Sequence, residues 1–328
     1  MILAGDIGGT KTHLALFTQD GRRLRIDTQT SFASREHESL AEICSKFLSG
    51  RQLEIRDACF GVAGPVRQGV VKTTNLAWVV DAADLSKTLG IERVTLLNDM
   101  EANALGIAAL EPQDFVTLQA GEPDPKGQAV VLSAGTGLGE AGLVWDGRFH
   151  RAVASEGGHA SFSPRTDQQI ELLKFLRREL EHVSYERVLS GPGLFNIYRF
   201  LKETGRAEEP RWLTDEIKAG DPAAAITRAA LDKKSPLCAA ALDLFIEIYG
   251  DEAGNLALKM MATAGVYVGG GIAPKIASRM GEGRFVKSFL AKGRMQRVLE
   301  KMPVRVILND RTALLGAGRA AAITAGRL

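Results

Sequence analysis

Asp6-Ile7-Gly8-Gly9-Thr10-Lys11 carries most of the information in this chain, and Gly135-Thr136-Gly137-Leu138-Gly139 repeats its pattern in the other half. Each stretch follows a short apolar run, and an alternating strand pattern follows each of them. Glycine lacks a Cβ, so it permits positive φ and lets N–H groups approach an anion; threonine adds a hydroxyl donor. Both stretches therefore predict hairpin turns that can close around phosphate groups, although an ordinary tight hairpin remains an alternative.

The predicted elements around the two turns come in the same order. Strands are predicted around the turns at Ile2–Asp6, Thr12–Phe17, Leu24–Thr28, Val130–Ala134, Glu140–Trp145 and Arg148–Val153. Helical segments separate two further buried strands from the first, which favours parallel pairing of Asp57–Val62 and Val94–Leu97. Mostly helix is expected from Asp167 to about Met260, then strands at Gly265–Val268 and Val304–Leu308 and a helix at Thr312–Ala325. A duplicated α/β core explains the recurrence; chance similarity of two hairpins is the alternative.

Composition limits the function classes. The chain has 328 residues, 45% hydrophobic and 24% charged, with a net charge of +2, which predicts two domains and gives no preference for nucleic acid. We find no signal peptide and no apolar run of membrane-spanning length. Cys44, Cys59 and Cys238 are far apart, which favours reduced thiols in a cytoplasmic protein over disulfides or a zinc site.

Asp99 is the candidate catalytic base. It stands at the carboxyl end of a predicted buried strand, where open α/β sheets bind ligands. Its neighbour Asn98 offers a donor and an acceptor to a sugar hydroxyl. Asp99 could equally be the N-cap of the helix predicted from Met100, and Asn98 could cap that helix instead.

A second group of polar residues predicts a pocket for a small ligand. Glu156-Gly157-Gly158-His159 suggests a tight turn that aims a carboxylate and an imidazole at one ligand; a surface loop is the alternative. One His and one Glu are too few for zinc. Glu186 could add a carboxylate, although an exposed helix charge is an alternative, and Thr74 and Asn75 could add polar contacts.

The glycines at Gly269, Gly270 and Gly271 end a predicted strand and precede a helix near Pro274. Their bare backbone could pack against the adenosine end of a nucleotide, while a flexible turn is the alternative. The chain lacks G-x-x-x-x-G-K-[ST], so a P-loop is excluded. A strand rather than a helix follows Gly135–Gly139, which argues against a Rossmann fingerprint.

Together, these motifs resemble the bacterial glucokinases of the sugar kinase/actin/heat-shock ATPase superfamily, in the non-zinc branch. The ordered set of matching segments is GDIGGTKTHLAL (Gly5–Leu16), LLNDMEANALG (Leu96–Gly106), SAGTGLGEAGL (Ser133–Leu143), EGGHASFSP (Glu156–Pro164), ERVLSGPGLFNIYR (Glu186–Arg199) and GGGIAPK (Gly269–Lys275). The resemblance implies a two-lobed actin-like α/β fold with a duplicated sheet core and a cleft between the lobes. The small lobe would be residues 1–109 plus about 309–328, and the large lobe residues 110–308 with a helical insertion.

The resemblance also implies the activity and the role of each residue. The reaction would be ATP-dependent phosphorylation of the D-glucose 6-hydroxyl, feeding glycolysis, with Asp99 taking the hydroxyl proton. Asn98, Glu156, His159 and Glu186 would hold the other sugar hydroxyls. The ATP phosphates would lie against Gly5, Asp6, Ile7, Gly8, Gly9, Thr10, Lys11, Gly135, Thr136 and Gly137. Mg²⁺ would lie near Asp6, through water, with no zinc. The family is typically a cytoplasmic homodimer, with no nucleic-acid or membrane partner expected.

Some residues depart from the family pattern, and three other functions compete. Lys11 and Thr12 stand where related glucokinases often have Asn-Ala, Ser155 where many have Gly, and Glu140 where a small apolar residue is common. A kinase of another hexose, such as mannose or fructose, is the enzyme alternative. A sugar-sensing transcriptional regulator would need a helix-turn-helix before the first turn, where we expect no room. An actin-like assembly protein would not need the Glu156–His159 cluster.

Overall fold

The computed structural model describes residues 1–21, 23–73, 75–205 and 208–328; Thr74, predicted to contact substrate, lies outside the described residues. Strands and helices alternate in the N-terminal third of the chain. Its elements are β1 (Ile2–Ile7), β2 (Lys11–Asp20), β3 (Arg23–Ala33), α1 (Leu40–Leu48), β4 (Asp57–Val62), β5 (Val70–Lys72), β6 (Val79–Asp81), α2 (Ala82–Leu89), β7 (Arg93–Asn98) and α3 (Asp99–Gly106).

The rest of the chain starts with strands and continues mainly with helices. Its elements are β8 (Phe115–Gln119), β9 (Ala129–Ala134), β10 (Leu138–Trp145), β11 (His150–Ser155), α4 (Asp167–Leu176), α5 (Gly191–Glu203), α6 (Arg211–Ala219), α7 (Pro222–Leu231), α8 (Pro236–Met260), β12 (Gly265–Gly269), α9 (Ala273–Met280), α10 (Arg284–Leu290), α11 (Gln296–Leu299), β13 (Val304–Ile307) and α12 (Thr312–Thr324). Among the described residues, no helix is both long and apolar enough to cross a membrane.

The chain divides into two units. Unit 1 comprises Met1–Pro112, Arg148–Ala154 and Asn309–Leu328, and unit 2 comprises Gln113–Gly147 and Ser155–Leu308.

The sheet of unit 1 has the strand order β3-β2-β1-β4-β7. β1, β4 and β7 are parallel, whereas β2 and β3 are antiparallel additions formed by the hairpin that follows β1. Every residue of β4 is buried, as expected for a central strand covered on both faces. The predicted parallel pairing of the first, fourth and seventh strands is therefore confirmed, and the carboxyl ends of these strands lie at the same edge of the sheet.

Helix α12 brings the C-terminal end of the chain onto the N-terminal sheet through small residues. The backbones of α3 and α12 touch: a Cβ on Gly106 would lie 1.9 Å from the Thr312 carbonyl oxygen, and one on Gly316 would lie 1.7 Å from the Ala102 carbonyl oxygen. Ala317 and Ala321 complete an apolar cluster with Phe17. Only glycine fits at the two crossing positions, so the Ala/Gly-rich composition of α12 is a packing requirement.

Unit 2 is built on five strands bonded in the order β10-β9-β12-β13-β8. β9 pairs antiparallel with β10 and parallel with β12, and β13 lies parallel to β12 and antiparallel to β8. The 25-residue helix α8 is buried around most of its circumference and joins the other helices in one large core with β9 and β12. The edge strand β8 escaped prediction because it is only half buried and its partner lies far along the chain.

We expect Gly316→Ala to lower the free energy of unfolding by about 2 kcal/mol or more, because the new methyl group meets the Ala102 carbonyl and forces α12 away from α3. Gly281→Ala is the control, because Gly281 has a helical φ of −65° and its nearest neighbour is 3.3 Å from the added Cβ. The control should change stability by about 0.5 kcal/mol or less. Equal chemical-denaturation midpoints for the two variants would contradict the proposed packing.

Candidate active site

The first glycine turn is closed by its own backbone and held from behind by Ser34. The Gly8 N–H donates to the Lys11 carbonyl at 2.9 Å, and the Ser34 hydroxyl donates to the Gly8 carbonyl at 2.8 Å. The Thr12 hydroxyl lies 3.0 Å from the Ser34 hydroxyl. Ser34 is fully buried, and the sequence analysis missed it because it lies after β3, in a segment with no recognisable motif.

Gly9 has a neighbour that explains its identity. A Cβ on Gly9 would lie 2.6 Å from the Cβ of Asn75, so the turn and the loop before β6 touch through the missing side chain. The structure thus brings Asn75, predicted to contact substrate, next to the first glycine turn. Thr10 and Lys11 are exposed at the same turn.

Asp6 and Asp99 lie at the carboxyl edge of the unit 1 sheet. Asp6 is in register with Gly61 of β4, Gly61 is in register with Leu97 of β7, and Asp99 follows β7 directly. Burial and, second, the charge of Asp99 raise the pKa of Asp6 from 3.8 to about 7. Ionised together, the two carboxyls repel each other, which makes this edge favourable for a cation or for a proton.

Asn98, rather than Asp99, is the N-cap of α3. Its side-chain oxygen accepts from the Met100 N–H at 2.8 Å, and the Glu101 carboxylate accepts from the Asn98 N–H at 3.1 Å, which completes a capping box. The Asn98 amide also donates to the Gly64 carbonyl at 3.1 Å. Asp99 is therefore the first residue of α3, and its Oδ1 accepts from the Met100 N–H at 2.9 Å. Asn98 thus caps α3 and bonds to the backbone at Gly64, while Asp99 stands directly after β7, at the strand end where the sequence predicted it.

The second glycine turn, in unit 2, depends on residues from three other elements. The Gly135 N–H donates to the Gly137 carbonyl at 2.8 Å, and the Gly191 N–H donates to the Gly135 carbonyl at 2.8 Å. The buried Tyr249 hydroxyl on α8 accepts from the Ala134 N–H at 3.1 Å. A Cβ on Gly270, which has φ +81°, would lie 2.4 Å from the Ala134 carbonyl oxygen. The glycines after β12 are thus required for close approach to this turn.

Glu186 supports the same turn. Its carboxylate accepts from the Leu138 N–H at 3.0 Å, and a Cβ on Gly137 would lie 2.4 Å from Glu186 Oε2. Glu156 and His159, both exposed, stand at the ends of a tight turn, where the His159 N–H donates to the Glu156 carbonyl at 3.0 Å. The backbone of Tyr185, next to Glu186, bonds to Ala160, next to His159. The structure therefore places these three predicted residues on two connected segments.

A cavity of about 800 Å³ opens beside the second glycine turn within unit 2. Its volume lies in the range of small-molecule sites. It is lined by residues at the N-termini of two helices and by apolar, polar and charged side chains: Gly135, Thr136, Gly191, Pro192, Phe195, Asp221, Pro222, Ala223, Ala224, Thr227, Arg228, Leu231, Asp232, Gly271, Ile272 and Lys275. Of the predicted triplet at Gly269–Gly271, only Gly271 lines this cavity. The α7 residues were missed because nothing local marks them; only the packing of α7 on α5 and α8 brings them here.

No cluster of three or more His, Cys, Asp or Glu side chains suited to a metal ion occurs among the described residues. Cys44, Cys59 and Cys238 are buried and unpaired.

Comparison with known proteins gives a consistent match along the whole chain. Residues 3–324 match the family model described as Glucokinase. A glucokinase from Nostoc punctiforme is 43% identical over 98% of this chain and 99% of its own length. The crystal structure of a glucokinase from an Antarctic psychrotroph superposes with a TM-score of 0.88 at 33% identity, covering 98% of each chain. A ROK family glucokinase from Streptomyces griseus, solved with glucose and AMPPNP, shares the fold at 20% identity, with a TM-score of 0.65 over 98% of this chain and 99% of its own.

We expect Asp6→Asn to stabilise the ligand-free protein at high pH. Because the pKa of Asp6 is raised from 3.8 to about 7, ionisation of Asp6 costs the folded state free energy progressively between these values, and the full cost persists above pH 7. The variant should gain roughly 1–4 kcal/mol of unfolding free energy at about pH 8 and nothing below about pH 4. Urea titrations at several pH values measure this difference.

Asp27→Asn, on the exposed face of β3, is the matched control and should show no such pH-dependent gain. An Asp6→Asn protein that is no more stable than wild type at pH 8 would contradict the raised pKa of Asp6.

Proposed function

Because this chain belongs to the glucokinase family, we propose that it transfers the γ-phosphoryl group of ATP to the 6-hydroxyl of D-glucose, giving glucose 6-phosphate and ADP. The match over nearly the full chain to a glucokinase at 43% identity carries this proposal. The similarity in fold to a glucokinase crystal structure, with a TM-score of 0.88, agrees with it. We propose that unit 1 is the small lobe and unit 2 the large lobe, with residues 148–154 grouped with unit 1.

We propose Asp99 as the general base. It would accept the proton of the sugar 6-hydroxyl as that oxygen attacks the terminal phosphorus. Two features support this role: the Met100 N–H orients the Asp99 carboxyl, and Asn98 rather than Asp99 makes the reciprocal cap of α3. Glu156, His159 and Glu186 would bind the remaining hydroxyls, with Glu186 linking the sugar to the second glycine turn.

Each glycine turn would bind phosphate groups through its backbone N–H groups and its threonine hydroxyl, Thr10 in the first turn and Thr136 in the second. The cavity beside Gly135 would receive the adenosine. Phe195 contributes an aromatic ring to the lining of this cavity, and Ala223 and Ala224 contribute small residues. A flat base can therefore pack there. Preorganised donors at developing phosphoryl charge are a large part of catalysis in phosphoryl transfer.

The acid pair of unit 1 fits Mg²⁺ bound to the nucleotide. Magnesium is usually held by one or two carboxylates together with phosphates and waters, and the mutual repulsion of Asp6 and Asp99 is relieved by a cation. When bound, Mg²⁺ supplies neutralisation of charge on the phosphoryl oxygens. Asp6 would hold it through water.

The cytoplasmic location and homodimer that go with the family resemblance belong to this proposal.

The direct test of the proposed function is a coupled assay for ADP with ATP and glucose, run beside mannose and fructose. We expect glucose to give the highest kcat/KM of the three sugars. A higher value for another hexose, or turnover that does not depend on sugar, would overturn the assignment.

We expect Asp99→Asn to lower kcat by about 10²–10⁴-fold, because the amide cannot accept the hydroxyl proton. Glucose affinity, measured by calorimetry without nucleotide, should change far less, because an amide still hydrogen-bonds to a hydroxyl.

Asp81→Asn is the matched control, since Asp81 also stands at a helix N-terminus of unit 1, where it caps α2. It should keep the wild-type kcat. Turnover by Asp99→Asn within a few-fold of wild type would exclude Asp99 as the base.

We expect Ala224→Trp to raise KM for ATP by about tenfold or more, which corresponds to roughly 1.4 kcal/mol, because the indole occupies part of the nucleoside cavity. KM for glucose should stay the same. Ala219→Trp, on the exposed end of α6 outside the cavity, is the control and should leave both constants unchanged. An unchanged KM for ATP in Ala224→Trp would place the nucleoside elsewhere.

A further inference from the structure

Glu140 is a buried carboxyl that the proposed reaction does not use. It stands on β10, in the alternating segment that leaves the second glycine turn, and only 2% of it is exposed. Burial and, second, the charge of Glu252 raise its pKa to about 7. A buried carboxyl without full hydrogen bonding is costly to keep, so its position needs a physical reason.

The Glu140 carboxyl lies directly against the turn that carries Glu156 and His159. A Cβ on Gly157 would lie 2.0 Å from Glu140 Oε2 and 2.9 Å from Glu140 Cδ. The backbone of the turn therefore rests on the carboxyl group itself. The Gly157 N–H donates to the Ser155 hydroxyl at 2.9 Å, so the turn holds its own shape above this support.

A second buried carboxyl, Glu252 on α8, lies close enough to Glu140 for its charge to raise the pKa of Glu140. Glu252 is 0% exposed. Within the described chain, neither Glu140 Oε1 nor Glu252 Oε1 has a hydrogen-bond partner. Lys259 Nζ lies 3.7 Å from Glu252 Oε1, beyond hydrogen-bonding range. The charge of Glu252 therefore adds to burial in disfavouring the ionised form of Glu140.

Hydrogen bonds through Asn255 also connect Glu252 to the segment that carries Glu186. Asn255 donates to Glu252 Oε2 at 2.8 Å and to the Tyr185 hydroxyl at 2.9 Å, and Tyr185 directly precedes Glu186. Lys292 donates to Asn255 Oδ1 at 2.7 Å. The titratable and charged groups around Glu140 are Glu252, Lys259 and Tyr249, and those around Glu252 also include Tyr185 and Lys292.

We propose that Glu140 is a positioning residue for sugar binding: in its neutral form it supports the Glu156–His159 turn, and its ionisation loosens that turn. The inference rests on the proposed role of this turn in holding glucose. An ionised Glu140 beside Glu252 needs water or a cation, and drawing either beneath Gly157 displaces the backbone that rests there. Glucose affinity therefore falls as the proton leaves, while the chemistry at Asp99 is affected less.

The experiment measures the glucose dissociation constant by calorimetry, without nucleotide, between pH 5.5 and 9 for wild type, Glu140→Gln, Glu252→Gln and Glu247→Gln. Binding by the wild type should weaken by about fivefold or more above pH 7. Glutamine keeps the shape of Glu140 and stays neutral, so binding by Glu140→Gln should lose this pH dependence. Glu252→Gln removes the charge that keeps the proton on Glu140, so weakening should begin at lower pH.

Glu247→Gln is the matched control, because Glu247 lies on α8 with Glu252 but pairs with Arg284. This variant should keep the wild-type pH profile of glucose binding. Steady-state kinetics should show the same pattern in KM for glucose, with a smaller change in kcat. A Glu140→Gln profile parallel to wild type overturns the inference. If that variant does not fold, the onset in Glu252→Gln decides, and an unshifted onset overturns it.

A different observation would overturn the proposed function: a wild-type protein that does not phosphorylate glucose at any pH. If glucose is phosphorylated and the pH profiles of wild type and Glu140→Gln coincide, only the role of Glu140 is wrong.

Discussion

The parallel register of β1, β4 and β7 brings two carboxyls, Asp6 and Asp99, to one edge of a sheet, and the cost of burying Asp6 beside a second carboxyl is the constraint that the proposed chemistry depends on. Gly61, between them on β4, has no side chain to separate them. Burial and, second, the charge of Asp99 raise the pKa of Asp6, so ionisation of Asp6 lowers the stability of the folded protein. A site that holds like charges together in the absence of its ligand is less stable than it could be, and it gains that stability back when a cation or proton arrives.

The glycine turns are not self-sufficient. Each is short and lacks side chains, so residues from distant parts of the chain must fix its backbone. Ser34 does this for the first turn through the Gly8 carbonyl. For the second, Tyr249 bonds to Ala134 and Glu186 bonds to Leu138. Preorganisation of bare N–H groups is therefore a property of the packed unit, and these supporting residues belong to the site as much as the glycines do.

Much of the architecture was predictable, because it depends on patterns that are local in sequence. Buried runs separated by helical segments predicted the parallel strands, and glycine between alternating strands predicted both hairpins. Asp99 was identified at a strand end for the same reason, although the choice between Asn98 and Asp99 as cap needed the structure. The strand β8 and the small elements β5, β6 and α2 were missed, since their periodicity is weak over so few residues.

The sequence by itself determined which residues carry reactive groups and which turns have bare backbone, because residue type and spacing are local facts. Only the tertiary structure decided what lies behind them. It placed the start of α7 beside Gly135 as the wall of a cavity, and it set the Glu140 carboxyl beneath Gly157. These contacts join positions between 17 and about 90 residues apart along the chain, and packing of whole elements, rather than any short pattern, brings such positions together.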